Sequence, residues 1–328
     1  MQRWLSFIFV VLLTLTGCGG GDRDHAHDDH DHHKDHSHDH DHDHDHAHAH
    51  AGPNAHYWLD PLLTRQFIEM VHEPLGQVIA AAQKENRKAK LIVSIHPLAS
   101  LIGELTGSLA AITTMLPQGG SPHGFELTPD ILRSLGEADA LIIIGGNLDP
   151  WAIKAAKNAG KKDLLIITFA GLIEQHQEGH ARPTAAEHPL AAAQKAMLAK
   201  IDELHERYKE ATAKMSVKEM VTFHNAFDLL AARYGLKVVA HLTEMDLPTG
   251  AEVTPTHLSE ARQAVIKFKL KTLYAEPAYP DSALSAIAEA TGAKVLKLDD
   301  LGGPDRADYR TYFEMMDSNL KVLVQGQQ

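Results

Sequence analysis

Two features of this 328-residue chain could do chemistry with imidazole. The first is His123, in the stretch Leu-Pro-Gln-Gly-Gly-Ser-Pro-His-Gly at 116–124. The β-branched and aliphatic run at 111–116 reads as a strand. Pro117, Gly119, Gly120 and Pro122 then forbid regular structure, and Thr128-Pro129-Asp130 is a helix start. His123 is therefore mounted on a stiff turn beyond the carboxyl end of a strand, where open α/β sheets bind ligands. Taken alone, a loop histidine is more often a solvated side chain. The second feature is a run of thirteen histidines, His25, His27, His30, His32, His33, His36, His38, His40, His42, His44, His46, His48 and His50, mostly alternating with Asp or Ala. Imidazole alternating with carboxylate makes many interchangeable, weakly selective sites for Zn2+, Ni2+ or Cu2+. The tract has no large apolar side chains and cannot build a core, so 19–52 reads as a disordered tether that also gathers metal.

Three further motifs supply matching pieces: His-Tyr-Trp-Leu-Asp-Pro at 56–61, Thr-Phe-His-Asn-Ala-Phe at 222–227, and Lys-Leu-Asp-Asp-Leu-Gly-Gly at 297–303. With the Ser-Pro-His turn, they resemble the zinc and manganese solute-binding proteins of bacterial ABC importers, the cluster in which one rigid helix joins two lobes. The resemblance covers most of the chain from His56 onward. It implies a metal site closed by protein groups from both lobes, with His56, His123, His224 and Asp299 as ligands. Asp299 is chosen over its neighbour Asp300 because it matches the family's Leu-Asp-x-Leu-Gly aspartate. His188 and His96 rank below these, and His241, at a strand end, lower still. Glu126, Glu276 and Trp151 stand in family-like contexts and would shape the pocket or orient ligands. His72, His176, His180, His205 and His257 read as surface residues.

Zn2+ favours four ligands in a tetrahedron. Three imidazoles and one carboxylate suit it better than Mn2+, which prefers oxygen donors; where the manganese branch has Glu, this chain has His224. The resemblance implies a zinc receptor serving an ABC permease and its ATPase, working as a monomer and not as an enzyme. A zinc buffer or chaperone without a transporter and a manganese receptor are the alternatives. A zinc hydrolase ranks last, because the chain has no His-Glu-x-x-His and no carboxylate placed as a base beside an open metal position.

The elements that must hold these residues follow from pattern. Asp60-Pro61 starts a helix whose apolar face carries Leu63, Phe67, Met70 and Val71, and Pro74 should end or kink it. Strands at 91–95, 111–116, 140–144 and 164–168 alternate with helices, which implies a mainly parallel sheet; a polar passage at 174–187 reads as a loop. A long helix at 189–216 carries one apolar stripe through Met197, Ile201, Leu204, Tyr208 and Met215. Strands near 219–223, 236–241, 272–276 and 294–298 repeat the rhythm. The fold class is α/β: two lobes, 89–188 and 217–328, each a mainly parallel sheet flanked by helices and joined by one long rigid helix.

The first 18 residues, one Arg, an apolar run and Leu-Thr-Gly-Cys, read as an export signal with a lipobox. Cys18, the sole cysteine, would carry the lipid. That places the protein as an exported bacterial lipoprotein on the periplasmic or cell-surface face of a membrane. Net charge is −12, and nothing basic is concentrated enough for nucleic acid.

One departure from the family stands out. There, the segment like 56–61 and its helix follow the first lobe and lead into the second. Here that slot holds Ala-Ala-Glu-His188-Pro-Leu, and the matching segment, 53–88, precedes the first lobe. The simplest account is a transposed segment that docks where it would otherwise lie.

Overall fold

The strand Ala89–Val93 (β1) is buried at four of its five positions, as a strand covered on both faces must be. In the computed structural model, which describes residues 54–180, 188–243 and 253–327, it lies between Ala110–Thr114 (β2) and Ala140–Ile143 (β3). Leu165–Thr168 (β4) follows, giving the all-parallel order β2-β1-β3-β4, with the helices His96–Thr106 (α2), Pro129–Glu137 (α3) and Pro150–Ala159 (α4) between the strands. The second sheet has the equivalent order. Glu219–Thr222 (β5) lies between Lys237–His241 (β6) and Thr272–Ala275 (β7), with Lys294–Lys297 (β8) beyond. In such a sheet the connections leave the two central strands in opposite directions, which opens a crevice at their carboxyl ends. The fold is the expected one: two parallel sheets, each flanked by helices. The signal, Cys18 and the tether lie outside the described residues.

The helix Pro61–Lys84 (α1) runs unbroken through Pro74, against the expected stop. An interior proline costs about 3 kcal/mol, yet apolar contacts continue on both sides of it. Phe67, Ile68 and Val71 before Pro74, and Leu75, Ile79 and Ala82 after it, are all buried. The face packs on the linking helix Ala191–Ala213 (α6) and on Phe169–Gln177 (α5). The α5 helix is a second difference, since its last turns occupy the start of the expected loop. Phe67 stacks on Phe169, ring centroids 4.3 Å apart, and Arg65 pairs with Asp202 of α6 at 2.8 Å. On α6, Met197, Ile201, Leu204 and Tyr208 are buried, so the stripe is core.

The chain before α1 is fixed just as firmly. Asp60 caps α1 by accepting from Leu62 N. The same carboxylate takes Arg233 Nε and Nη2 at 2.8 Å each, from the helix Asp228–Arg233 (α7). Trp58, fully buried, donates its indole N–H to Asp300 O at 2.6 Å. From the first lobe, Gly146 comes so close that a β-carbon on it would sit 3.3 Å from Ala55 Cβ. Residues 54–60 are thus clamped between lobes. Among the described residues no helix is long and apolar enough to cross a membrane.

Candidate metal centre

His56 opens a 3-10 turn, Tyr57–Leu59, and its ring is fully buried. Its backbone N–H and its Nδ1 both lie 2.9 Å from Asn54 Oδ1. Asn54 in turn donates to Asn225 O at 2.6 Å. An amide oxygen only accepts, so Nδ1 carries the proton and Nε2 keeps its lone pair. His224 follows β5, also fully buried, with Thr222 Oγ1 donating to its carbonyl at 2.8 Å. Glu276, after β7, places Oε1 3.3 Å from His224 Nδ1. A carboxylate behind one ring nitrogen turns the other away from it, the usual arrangement around metal-bound histidine.

The two ε-nitrogens meet 3.4 Å apart. Tetrahedral Zn2+ with Zn–N near ~2.0–2.1 Å sets its ligand nitrogens roughly 3.3–3.4 Å apart, so this pair has the required spacing. His123 closes the triangle from the first lobe, with ring centroids 5.7 Å from His56 and 5.9 Å from His224. One nitrogen from each ring lies within 4.8 Å of the others. The His123 turn is held by Trp151, whose indole donates to Pro122 O at 2.7 Å, and by Phe125 packed edge-on against Trp151. Burial, then the charges of His224 and His123, hold the His56 pKa well below the usual histidine value. The His56 ring is therefore neutral, with Nε2 turned toward His224 Nε2.

The two aspartates have different surroundings. Asp299 Oδ1 accepts from Leu301 N at 3.0 Å and Gly302 N at 2.9 Å, and Oδ2 pairs with Arg306. Its carboxylate closes a loop and holds a guanidinium. Asp300 is 1% exposed, and among the described residues neither of its carboxylate oxygens has a hydrogen-bond partner. Burial raises its pKa to about 7, and among its charged neighbours His224 acts most strongly on it. Glu276 is also fully buried, and burial raises its pKa to about 8. A buried carboxylate with no donor is costly unless a cation completes it. Among the described residues no carboxylate oxygen joins the three-nitrogen group at its 4.8 Å spacing.

The remaining candidates lie elsewhere. His188 accepts from Leu190 N through Nδ1 and sits edge-on to His72, centroids 5.1 Å apart. It rests over Gly76 of α1, where a β-carbon would come within 2.1 Å of its Nε2. His96 bonds Arg310 O at 2.8 Å, and His241 lies between Thr222 Oγ1 and Asp228. Glu126 is exposed. His72, expected at the surface, is 3% exposed, with Gln194 Nε2 2.8 Å from its Nδ1; its helix face turned out to be the one covered by α6. His176 and His205 are half-buried against Glu69 and Tyr234. Asn54, two residues before His56, is an orienting group that no sequence motif singles out.

Two parallel-sheet lobes joined by a long helix bring together His56, on the turn before α1, and His123 and His224, on loops that follow β2 and β5, as a candidate cation site. The family model described as "Zinc-uptake complex component A periplasmic" matches residues 91–189 and 181–326, and the chain belongs to that family. It is 23% identical over 292 residues to the zinc-binding lipoprotein AdcA of Streptococcus pneumoniae R6, covering 76% of this chain and 58% of that protein. The chain thus spans well under two thirds of that relative's length. It is 22% identical over 288 residues to the high-affinity zinc uptake system protein ZnuA of Bacillus subtilis 168, covering 74% of this chain and 89% of that one. Among solved structures, the laminin-binding protein Lmb of Streptococcus agalactiae, described as having adhesin and metal transporting activity, superposes with a TM-score of 0.61. Identity is 25%, covering 73% of this chain and 100% of Lmb.

Proposed function

We propose that this protein is the extracytoplasmic receptor of a zinc importer, anchored to a membrane through lipidated Cys18, which captures Zn2+ and delivers it to an ABC permease driven by its ATPase. The observation that carries the reading is the convergence of three imidazoles, two of them fully buried, with two ε-nitrogens 3.4 Å apart. Nitrogen donors favour Zn2+ over Mn2+. His56, His123 and His224 are the nitrogen ligands. Asp300 replaces Asp299 as the proposed carboxylate ligand, because it is the buried aspartate left without donors. Glu276 and Asn54 orient the rings of His224 and His56.

The ligand from residue 56 supports a transposed segment. The family match breaks into two pieces that meet at 181–189, where the moved helix would otherwise lie, and 54–90 falls outside both. The relatives' names, zinc-binding lipoprotein and zinc uptake protein, agree with this assignment.

Calorimetric titration with Zn2+ tests it. The full chain binds several ions; deletion of 22–50 leaves one tight site per chain, and His224→Ala in that protein removes it. If the deleted protein bound no zinc tightly, the receptor reading would be wrong.

A further inference from the structure

Beyond the imidazoles, the side chain of Tyr279 meets groups beside the site in both lobes. Tyr279 lies in the turn that follows β7, closed by its own N–H bonding to Glu276 O at 3.3 Å. The turn thus presents Glu276 and Tyr279 together. The Tyr279 ring meets the His224 ring edge-on, centroids 5.2 Å apart at 67°, and stacks on Phe223, centroids 5.4 Å apart at 14°. Its hydroxyl crosses to the first lobe, where it lies 3.0 Å from Ser121 Oγ. That oxygen also accepts the backbone N–H of His123 at 3.3 Å. A continuous path, ring of His224 to Tyr279 to Ser121 to backbone of His123, therefore ties a ligand of one lobe to a ligand of the other without passing through the ion.

We propose that Tyr279 is a positioning residue that latches the His123 turn onto the second lobe and thereby sets how slowly the bound cation leaves. The inference rests on the three-imidazole reading of the site. His123 is the one imidazole of the three that is not fully buried, so it is the ligand whose withdrawal would open the site. Its turn is held from within its own lobe by Trp151, and the Ser121–Tyr279 bond adds a hold from the other. Aromatic packing on Phe223 keeps the hydroxyl aimed while the ring edge covers His224. Losing the bond leaves all ligands in place but lets the turn swing away more often, which raises the dissociation rate and spares the association rate.

The test is stopped-flow transfer of zinc from the loaded full-length protein to excess EDTA. The wild type should show a fast phase from the histidine tract and a slow phase that disappears in His224→Ala. Tyr279→Phe, which deletes only the hydroxyl, should speed the slow phase roughly fivefold, the worth of one net hydrogen bond. Ser121→Ala should do the same, and the double variant should be no faster than either single one. The visible spectrum of the Co2+-loaded Tyr279→Phe protein should match the wild type, showing an unchanged ligand set. An unaltered slow phase in Tyr279→Phe, or additive effects of the two substitutions, overturns the latch while leaving the metal site standing. No slow phase in the wild type overturns both.

Discussion

His56→Ala, in the protein lacking 22–50, weakens zinc binding by at least about tenfold, whereas His188→Ala leaves affinity within roughly twofold. The contrast has a geometric basis. His56 Nε2 stands 3.4 Å from His224 Nε2, its other nitrogen fixed by Asn54. Its turn is locked by Trp58 on Asp300 O and by Asp60 on Arg233. Removing it takes away the proposed ligand that is already in position to coordinate. His188 has its Nδ1 on Leu190 N and its ring over Gly76, so its loss disturbs the start of α6 and no ligand. Competition titration against a chromophoric chelator measures both. A large loss for His188→Ala and none for His56→Ala would show that the N-terminal segment takes no part in binding.

The neighbouring aspartates should separate just as sharply. Asp300→Asn weakens zinc roughly tenfold and leaves thermal stability unchanged or slightly higher, because it removes a buried carboxyl that has no donor in the metal-free protein. Asp299→Ala strips the acceptor from Leu301 N and Gly302 N and leaves Arg306 unpaired. It should cost about 2–4 kcal/mol of stability while zinc affinity falls less than about threefold. Thermal melts of the metal-free proteins, set beside zinc titrations, give both readouts. If Asp299→Ala folded normally and lost zinc while Asp300→Asn kept it, the carboxylate ligand would be Asp299.

The strands were legible because their apolar runs are short and bounded by turn residues, and the strand order repeats in both lobes because each is the same α/β pattern. Pro74 misled because one local rule was weighed without the tertiary face that overrides it; the apolar positions on both sides of Pro74 held the information. The imidazoles of the site could be picked out by their settings, each beside a rigidifying Pro, Trp or Phe. Between Asp299 and Asp300 the sequence offers only the motif that favours Asp299; which carboxylate the backbone amides of 301 and 302 capture depends on the folded loop. Tyr279 was invisible for a related reason: its partner Ser121 lies 158 residues away, and no local pattern reports such a pairing.

The position of α1 in the chain has a kinetic consequence. Its segment bonds to residues 171 to 248 positions distant, from Asn225 to Tyr312. Contacts of that span close large loops and form slowly. During synthesis Phe67, Ile68, Val71 and Leu75 emerge well before α6, the surface that will cover them. For that interval the chain carries an uncovered apolar stripe, the feature that draws chaperones and favours aggregation. His56 sits at the head of this stripe and can meet His224 only when both lobes are complete. Metal capture therefore becomes possible at the final stage of folding, and a nascent or half-folded chain cannot hold an ion there.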